Sequence, residues 1–228
     1  GFIWRRGEPV PYARLYDCPH CGDNGLHPIT DEDIQRLQLI QRSEPLHRSM
    51  ALARAMGSHI ENREAVSAAL NIYPVRPLYV LFTLINKLET MRLSESQKKL
   101  ADALLLSLMD AGHAIWFWPE ERERPRQFSK PAQFIEKNLW LEFENAINAW
   151  TLDLPELELT TWPNLPDSSG ICLYPGRMRD LVQPSSPVDL DALMCVFPRP
   201  NQAFWTLCSL WSSWLWGEER AGQFSQVI

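Results

Sequence analysis

The sequence predicts an α+β, helix-rich protein, and three observations carry that expectation. Between Thr30 and Trp150, apolar residues recur at three- and four-residue intervals, the spacing of one helical face. Strand-like runs stand on either side: "GFIWRR" before, and "LELTTW", "GICLYPG" and "DALMCVF" after. Six prolines between Pro155 and Pro187 mark a change of texture after Trp150. The expected organisation is a Cys-x-x-Cys knuckle with a β-hairpin over 1–29, a helical bundle over 30–150, and a strand–loop–strand–helix segment over 151–228.

Thr30 and Asp33 sit at capping-box spacing and start a helix whose face is Ile34, Leu37 and Ile40. Residues 46–70 read as further helix, interrupted near Gly57. Pro77 suits the first turn of a helix with the stripe Leu78, Leu81, Phe82, Ile85 and Leu88. Ser94 and Gln97 form a second capping box, for a helix carrying Leu100, Leu104 and Leu108 and ending near Gly112. After the charged connection Pro119–Pro131, a long amphipathic helix should turn Phe134, Trp140, Phe143, Ile147 and Trp150 inward. The bundle core is expected to hold Leu78, Phe82, Ile85, Leu104, Leu108, Phe143 and Ile147.

"DALMCVF" reads as a buried strand leading into a helix over Asn201–Gly217, packed on the sheet through Phe204, Leu207, Trp211 and Trp214. That helix carries Trp205, Trp211, Trp214 and Trp216 but also Thr206, Ser209, Ser212 and Ser213. Its apolar run is shorter than the ~20 residues a bilayer span needs, so the expectation is a buried helix and no membrane partner. The rival reading exposes Trp205 or Trp216 for stacking.

A net charge of −6 advertises no global field for nucleic acid, so such a contact needs a local patch. Arg122, Arg124, Arg126 and Lys130 in the charged connection are candidate phosphate contacts, against the plainer reading of a solvated loop. Five cysteines with one close pair do not resemble a disulfide framework, and a reducing cytoplasm is expected. The chain starts in a strand at Gly1 and reads as a fragment of a longer polypeptide.

Cys18-Pro19-His20-Cys21-Gly22 is the most specific local signal. Two thiolates at this spacing grip one tetrahedral zinc, and the glycine permits the tight turn. Zinc needs four ligands; His27 is the candidate third, and the alternative is a degenerate knuckle without metal. Cys195 and Cys208 lie in apolar patterns and read as small buried hydrophobes. No Walker loop or nucleophile elbow is present.

The order of the pieces is familiar: the Cys-Pro-x-Cys-Gly knuckle, "YPVRPLYVLFTLINKLE", "KNLWLEFENAINAW", then "GRMRDL" after a short strand, and a strand running through a Pro-rich turn into an aromatic helix. This resembles the large adenine-specific DNA methylases of prokaryotes, which carry a helical insertion inside the methyltransferase sheet. The resemblance implies that 30–150 is the insertion and 151–228 the C-terminal part of a methyltransferase-like, Rossmann-type α/β sheet. It also implies DNA as partner, and S-adenosylmethionine as cofactor when the upstream part of the polypeptide is present. Where that family has Asp-Pro-Pro-Tyr, this chain reads Phe197-Pro198-Arg199-Pro200-Asn201, with no acid or amide from Leu193 to Pro200. The expectation is therefore a DNA-engaging, catalytically altered or inactive chain, with Arg199 on phosphate. The alternatives are an active methylase, with Asn201 as amine acceptor and Phe204 or Trp205 stacking on the base, or a structural, protein-interaction domain.

Overall fold

The structure is a computed structural model that describes residues 1–18, 20–57, 63–119, 128–151, 157–174, 176–180, 191–192, 194 and 203–217, with 178 and 203–205 described in backbone only. The protein is α+β and helix-rich. It divides into two compact units: Gly1–Trp150 with Arg199–Ile228, and Thr151–Pro198.

In the first unit, β1 (Phe2–Arg5), β2 (Ala13–Asp17), β3 (Asn24–His27) and β4 (Gln133–Glu136) form an antiparallel sheet in the order β3-β2-β1-β4. Among the described residues, five helices intervene before the chain returns as β4: α1 (Asp31–Gln41), α2 (Glu44–Met56), α3 (Arg63–Leu70), α4 (Val75–Thr90) and α5 (Glu95–Gly112). Then come α6 (Leu139–Trp150) and, past the second unit, α7 (Ala203–Trp216). Both expected capping boxes form: Thr30 with Asp33 starts α1, and Ser94 with Gln97 starts α5. Gly57 and Gly217 end α2 and α7 at positive φ, where a side chain is strained.

Residues 133–136 are a correction to the expected long helix. Phe134 and Glu136 are buried and alternate with half-buried neighbours, a period of two rather than 3.6. Pairing with β1 sets Phe2 opposite Glu136 and Trp4 opposite Phe134 on one face. The helix begins only at Leu139, which is buried where Gly112 lets the chains approach; a Cβ there would stand 3.2 Å from Leu139 Cδ1. Beyond that anchor only Phe143 packs against the core, and Trp140, Ile147 and Trp150 are exposed, not inward. Leu100 is exposed and Leu104 half-buried, because α5 turns Leu105, Leu108 and Met109 into the core.

α7 also differs from expectation in its support. Among the described residues of the first unit it packs chiefly on the helices α2, α3 and α5, and it buries Leu207, Leu210, Trp211, Trp214 and Leu215. Trp211 Nε1 donates to the Tyr73 hydroxyl at 2.6 Å, and that hydroxyl donates to the Met109 carbonyl at 3.0 Å. The Arg54 guanidinium donates to the carbonyls of Trp214 and Leu215 and closes the C-terminal end. Trp216 is half-buried, with its N–H on Asp102 at 2.9 Å, which removes it as a free stacking platform.

The second unit holds β5 (Glu158–Thr161) and β6 (Gly170–Leu173), paired in parallel, followed by a 3-10 turn at Met178–Asp180. Of the expected strand over "DALMCVF", Asp191, Ala192 and Met194 are described; none is in a strand, and Met194 is exposed. The remainder of it lies outside the described residues. Among the described residues, no single helix is long and apolar enough to cross a membrane.

Two stability predictions follow from this packing. Leu108→Ala should cost about 2–5 kcal/mol by urea denaturation, whereas Leu100→Ala should stay within about 0.5 kcal/mol. Equal effects would place the α5 core face wrongly.

His113 is buried, stacked near Trp116 and Trp211, with its Nε2 3.4 Å from Asp110. Burial, foremost, holds its pKa down to about 3 from the ordinary 6.5. The folded state therefore resists protonation. This contribution is complete above about pH 6.5 and is lost as pH falls toward 3, at no more than about 1.4 kcal/mol per pH unit. Denaturation midpoints between pH 6.5 and 5 should fall less steeply in His113→Leu than in the native chain; parallel slopes would refute this.

Candidate functional site

The face of β1 and β4 that carries Trp4, Phe134 and Glu136 lines a cleft of about 250 Å³. Its other walls are the turn after β1 (Arg6–Pro9), Leu37 and Gln41 of α1, Glu44 and Arg48 of α2, Tyr73–Arg76 where α4 begins, and Lys130 before β4. Five cations (Arg5, Arg6, Arg48, Arg76 and Lys130) and three acids (Glu8, Glu44 and Glu136) share this lining. A protein of net charge −6 thus concentrates positive charge at one concave place.

Most of these charges are already tied. The Glu136 side chain is 1% exposed; it accepts from Trp4 Nε1 at 2.6 Å and pairs with Arg76 Nε. Arg76 also lies over the Phe2 ring at 4.1 Å. Glu44 accepts from Arg48 Nε and Nη2, and Arg48 Nη1 donates to the Leu70 carbonyl at 3.0 Å. Arg5 stacks on Tyr12, and Arg6 donates to the Lys130 carbonyl.

Of the half-buried heads, two keep donors to spare. Arg76 uses Nε on Glu136, and its terminal nitrogens have no acceptor among the described residues. Lys130 is half-buried, its Nζ 5.8 Å from the Phe134 ring centre, with no carboxylate at ion-pair distance among the described residues. Its own burial, then the Arg48 charge, hold its pKa below the ordinary lysine value. A planar fork held at Nε and a half-buried point charge suit an oxyanion.

Of the phosphate candidates named by sequence, Lys130 lies in this cleft, while Arg122, Arg124, Arg126 and Arg199 lie outside the described residues. So do Phe197, Pro198, Pro200 and Asn201, and the side chains of Phe204 and Trp205. Arg48, Arg76 and Glu136 escaped the sequence reading. One local signal pointed to Arg76: a cation in the first turn of a helix opposes the macrodipole, so something tertiary must favour it.

The cysteine knuckle is the turn between β2 and β3. Gly22 sits at φ +70° and donates to the Cys18 carbonyl at 3.0 Å. The backbone N–H groups of Cys21 and His20, then the Cys21 side chain, hold the Cys18 thiol below its usual pKa. His27 is not gathered with them. The sheet register sets it opposite Arg14, four residues from Cys18, about 13 Å along the strand. Its ring stacks on Tyr16 at 4.4 Å, and its Nε2 lies 3.4 Å from Asp23. Among the described residues, no group of three or more His, Cys, Asp or Glu is placed to hold a metal. The two thiols supply half of a zinc ligand set.

No family model matches the chain, and comparisons with curated proteins and with solved structures give no match either.

The Arg76–Glu136 pair generates a test of the cleft wall. Arg76→Met should cost about 3–5 kcal/mol, because it leaves a buried carboxylate uncompensated. Adding Glu136→Leu should recover much of that loss, since an apolar pair needs no counter-charge. A double variant as unstable as the single one would show that the carboxylate is not the source of the cost.

Proposed function

We propose that this chain is the DNA-engaging part of an adenine-methylase-like protein whose catalytic loop is altered, and that it meets phosphate in the Lys130 cleft. The observation that carries the reading is the half-buried Lys130 ammonium, without a carboxylate partner among the described residues, in a cleft that Arg76 with its spare donors also lines. The methylase kinship rests on the sequence order. It is supported by β6 ending two residues before Gly176-Arg177-Met178-Arg179-Asp180-Leu181, and by the parallel pairing of β5 and β6, the pairing used in cofactor-binding sheets. S-adenosylmethionine is the cofactor of that reading, and zinc at Cys18 and Cys21 would be structural, with further ligands needed to complete it.

One observation favours the protein-interaction alternative. Trp140, Leu141, Ile147 and Trp150 leave apolar surface exposed along α6.

Fluorescence anisotropy with a labelled duplex tests the reading. Binding should be weak, should fall as salt rises, and should be weakened by Lys130→Met alike on all sequences, with the salt slope reduced by about 1. Absence of binding at low salt, or binding indifferent to Lys130→Met, would remove the cleft from DNA engagement. Transfer of labelled methyl groups to DNA would favour the active-enzyme alternative instead.

A further inference from the structure

The charge left over in the cleft is more specific than DNA engagement requires. Glu136 is consumed by Trp4 and Arg76 Nε, and Glu44 by Arg48. Of the half-buried cations, Arg76 and Lys130 keep donors without a partner among the described residues. The lining as a whole carries five cations against three acids, a surplus of two, and an internal phosphodiester brings one negative charge and offsets half of it. A phosphomonoester brings nearly two at neutral pH, with three acceptor oxygens.

The donor geometry agrees with the charge count. The Arg76 guanidinium is held at Nε by a buried carboxylate and on its face by Phe2, so its terminal fork is fixed before any ligand arrives. Such a fork loses little freedom on binding two oxygens, and an ammonium serves the third as a point charge. The cleft is concave and about 250 Å³, which suits an end group inserted into it better than a duplex backbone passing over it.

We propose that the cleft is a receptor for a phosphomonoester, gripped by the Arg76 fork and the Lys130 ammonium. This rests on the reading of the cleft as a phosphate site and narrows it to a terminal phosphate. A free nucleotide and a 5′-phosphorylated strand end offer the same chemistry.

Calorimetry on the intact chain separates the possibilities, using inorganic phosphate, adenosine 5′-monophosphate, and one single strand carrying either a 5′-phosphate or a 5′-hydroxyl. The phosphorylated strand should bind at least about tenfold more tightly than its hydroxyl twin, the return from one or two charge-assisted hydrogen bonds. Inorganic phosphate should compete. Lys130→Met should erase the preference without changing the melting temperature. Arg76→Lys, which keeps a cation beside Glu136 but removes the fork, should reduce it. Adenosine monophosphate binding as tightly as the phosphorylated strand would identify a free-nucleotide receptor; a much tighter strand would identify a strand end. Equal, salt-sensitive binding of both strands that Lys130→Met weakens would overturn the terminal-phosphate site while leaving DNA engagement standing. Phosphate binding with no retention of either duplex or hydroxyl strand would do the reverse.

Discussion

Glu136 joins the sheet to the helical body, and the cleft exists because of it. An ionised carboxylate cannot be buried without compensation, so its two oxygens must find donors. Trp4 on the adjacent strand supplies one, and Arg76 in the first turn of α4 supplies the other. The first donor depends on the register of β4 on β1 and the second on Arg76, at the start of α4, lying over the Phe2 ring of β1. Because Arg76 is held through Nε, its remaining nitrogens are aimed rather than floppy. A structural requirement of the core thereby sets out part of a recognition surface.

The rest of the first unit supports that arrangement through apolar burial. Tyr73, immediately before the Pro74 cap of α4, is buried and bonded to both Trp211 and Met109. It ties α7 and α5 to the segment that presents Arg76. α7 is therefore a core element: the N–H groups of Trp211 and Trp216 are met by Tyr73 and Asp102, while that of the fully buried Trp214 has no partner among the described residues. His113 lies in the same aromatic cluster, where its neutral form packs and its charged form would be stranded.

Several features were readable from local sequence because their causes are local. The capping boxes at Thr30 and Ser94, the stops at Gly57 and Gly217, and the stripe of α4 depend on residues within one or two turns. The Cys-x-x-Cys turn was equally visible, since Gly22 at positive φ is a demand of the turn itself. Lys130 was singled out by its charged surroundings alone, and its companions were invisible, because Arg48 and Arg76 lie 82 and 54 positions away from it in the chain. His27 looked near to the thiols by sequence count, but an extended hairpin converts a short count into a long distance.

What the sequence determined by itself was the inventory of helices, their caps and the mixed α and β character, all set by steric and hydrogen-bonding preferences of neighbouring residues. Only tertiary structure decided which face of each element met another. The Phe134–Glu136 segment is apolar enough for a helix, yet pairing with β1 offers its backbone a ladder and its acid two donors. α5 carries leucines on more than one face, and contacts with α4 and α6 chose Leu105 and Leu108 over Leu100. α7 had the pattern of a buried helix, but nothing in that pattern says whether sheet or helices bury it. Burial is a property of the partner surface, and the partner comes from far along the chain, where local periodicity carries no record of it.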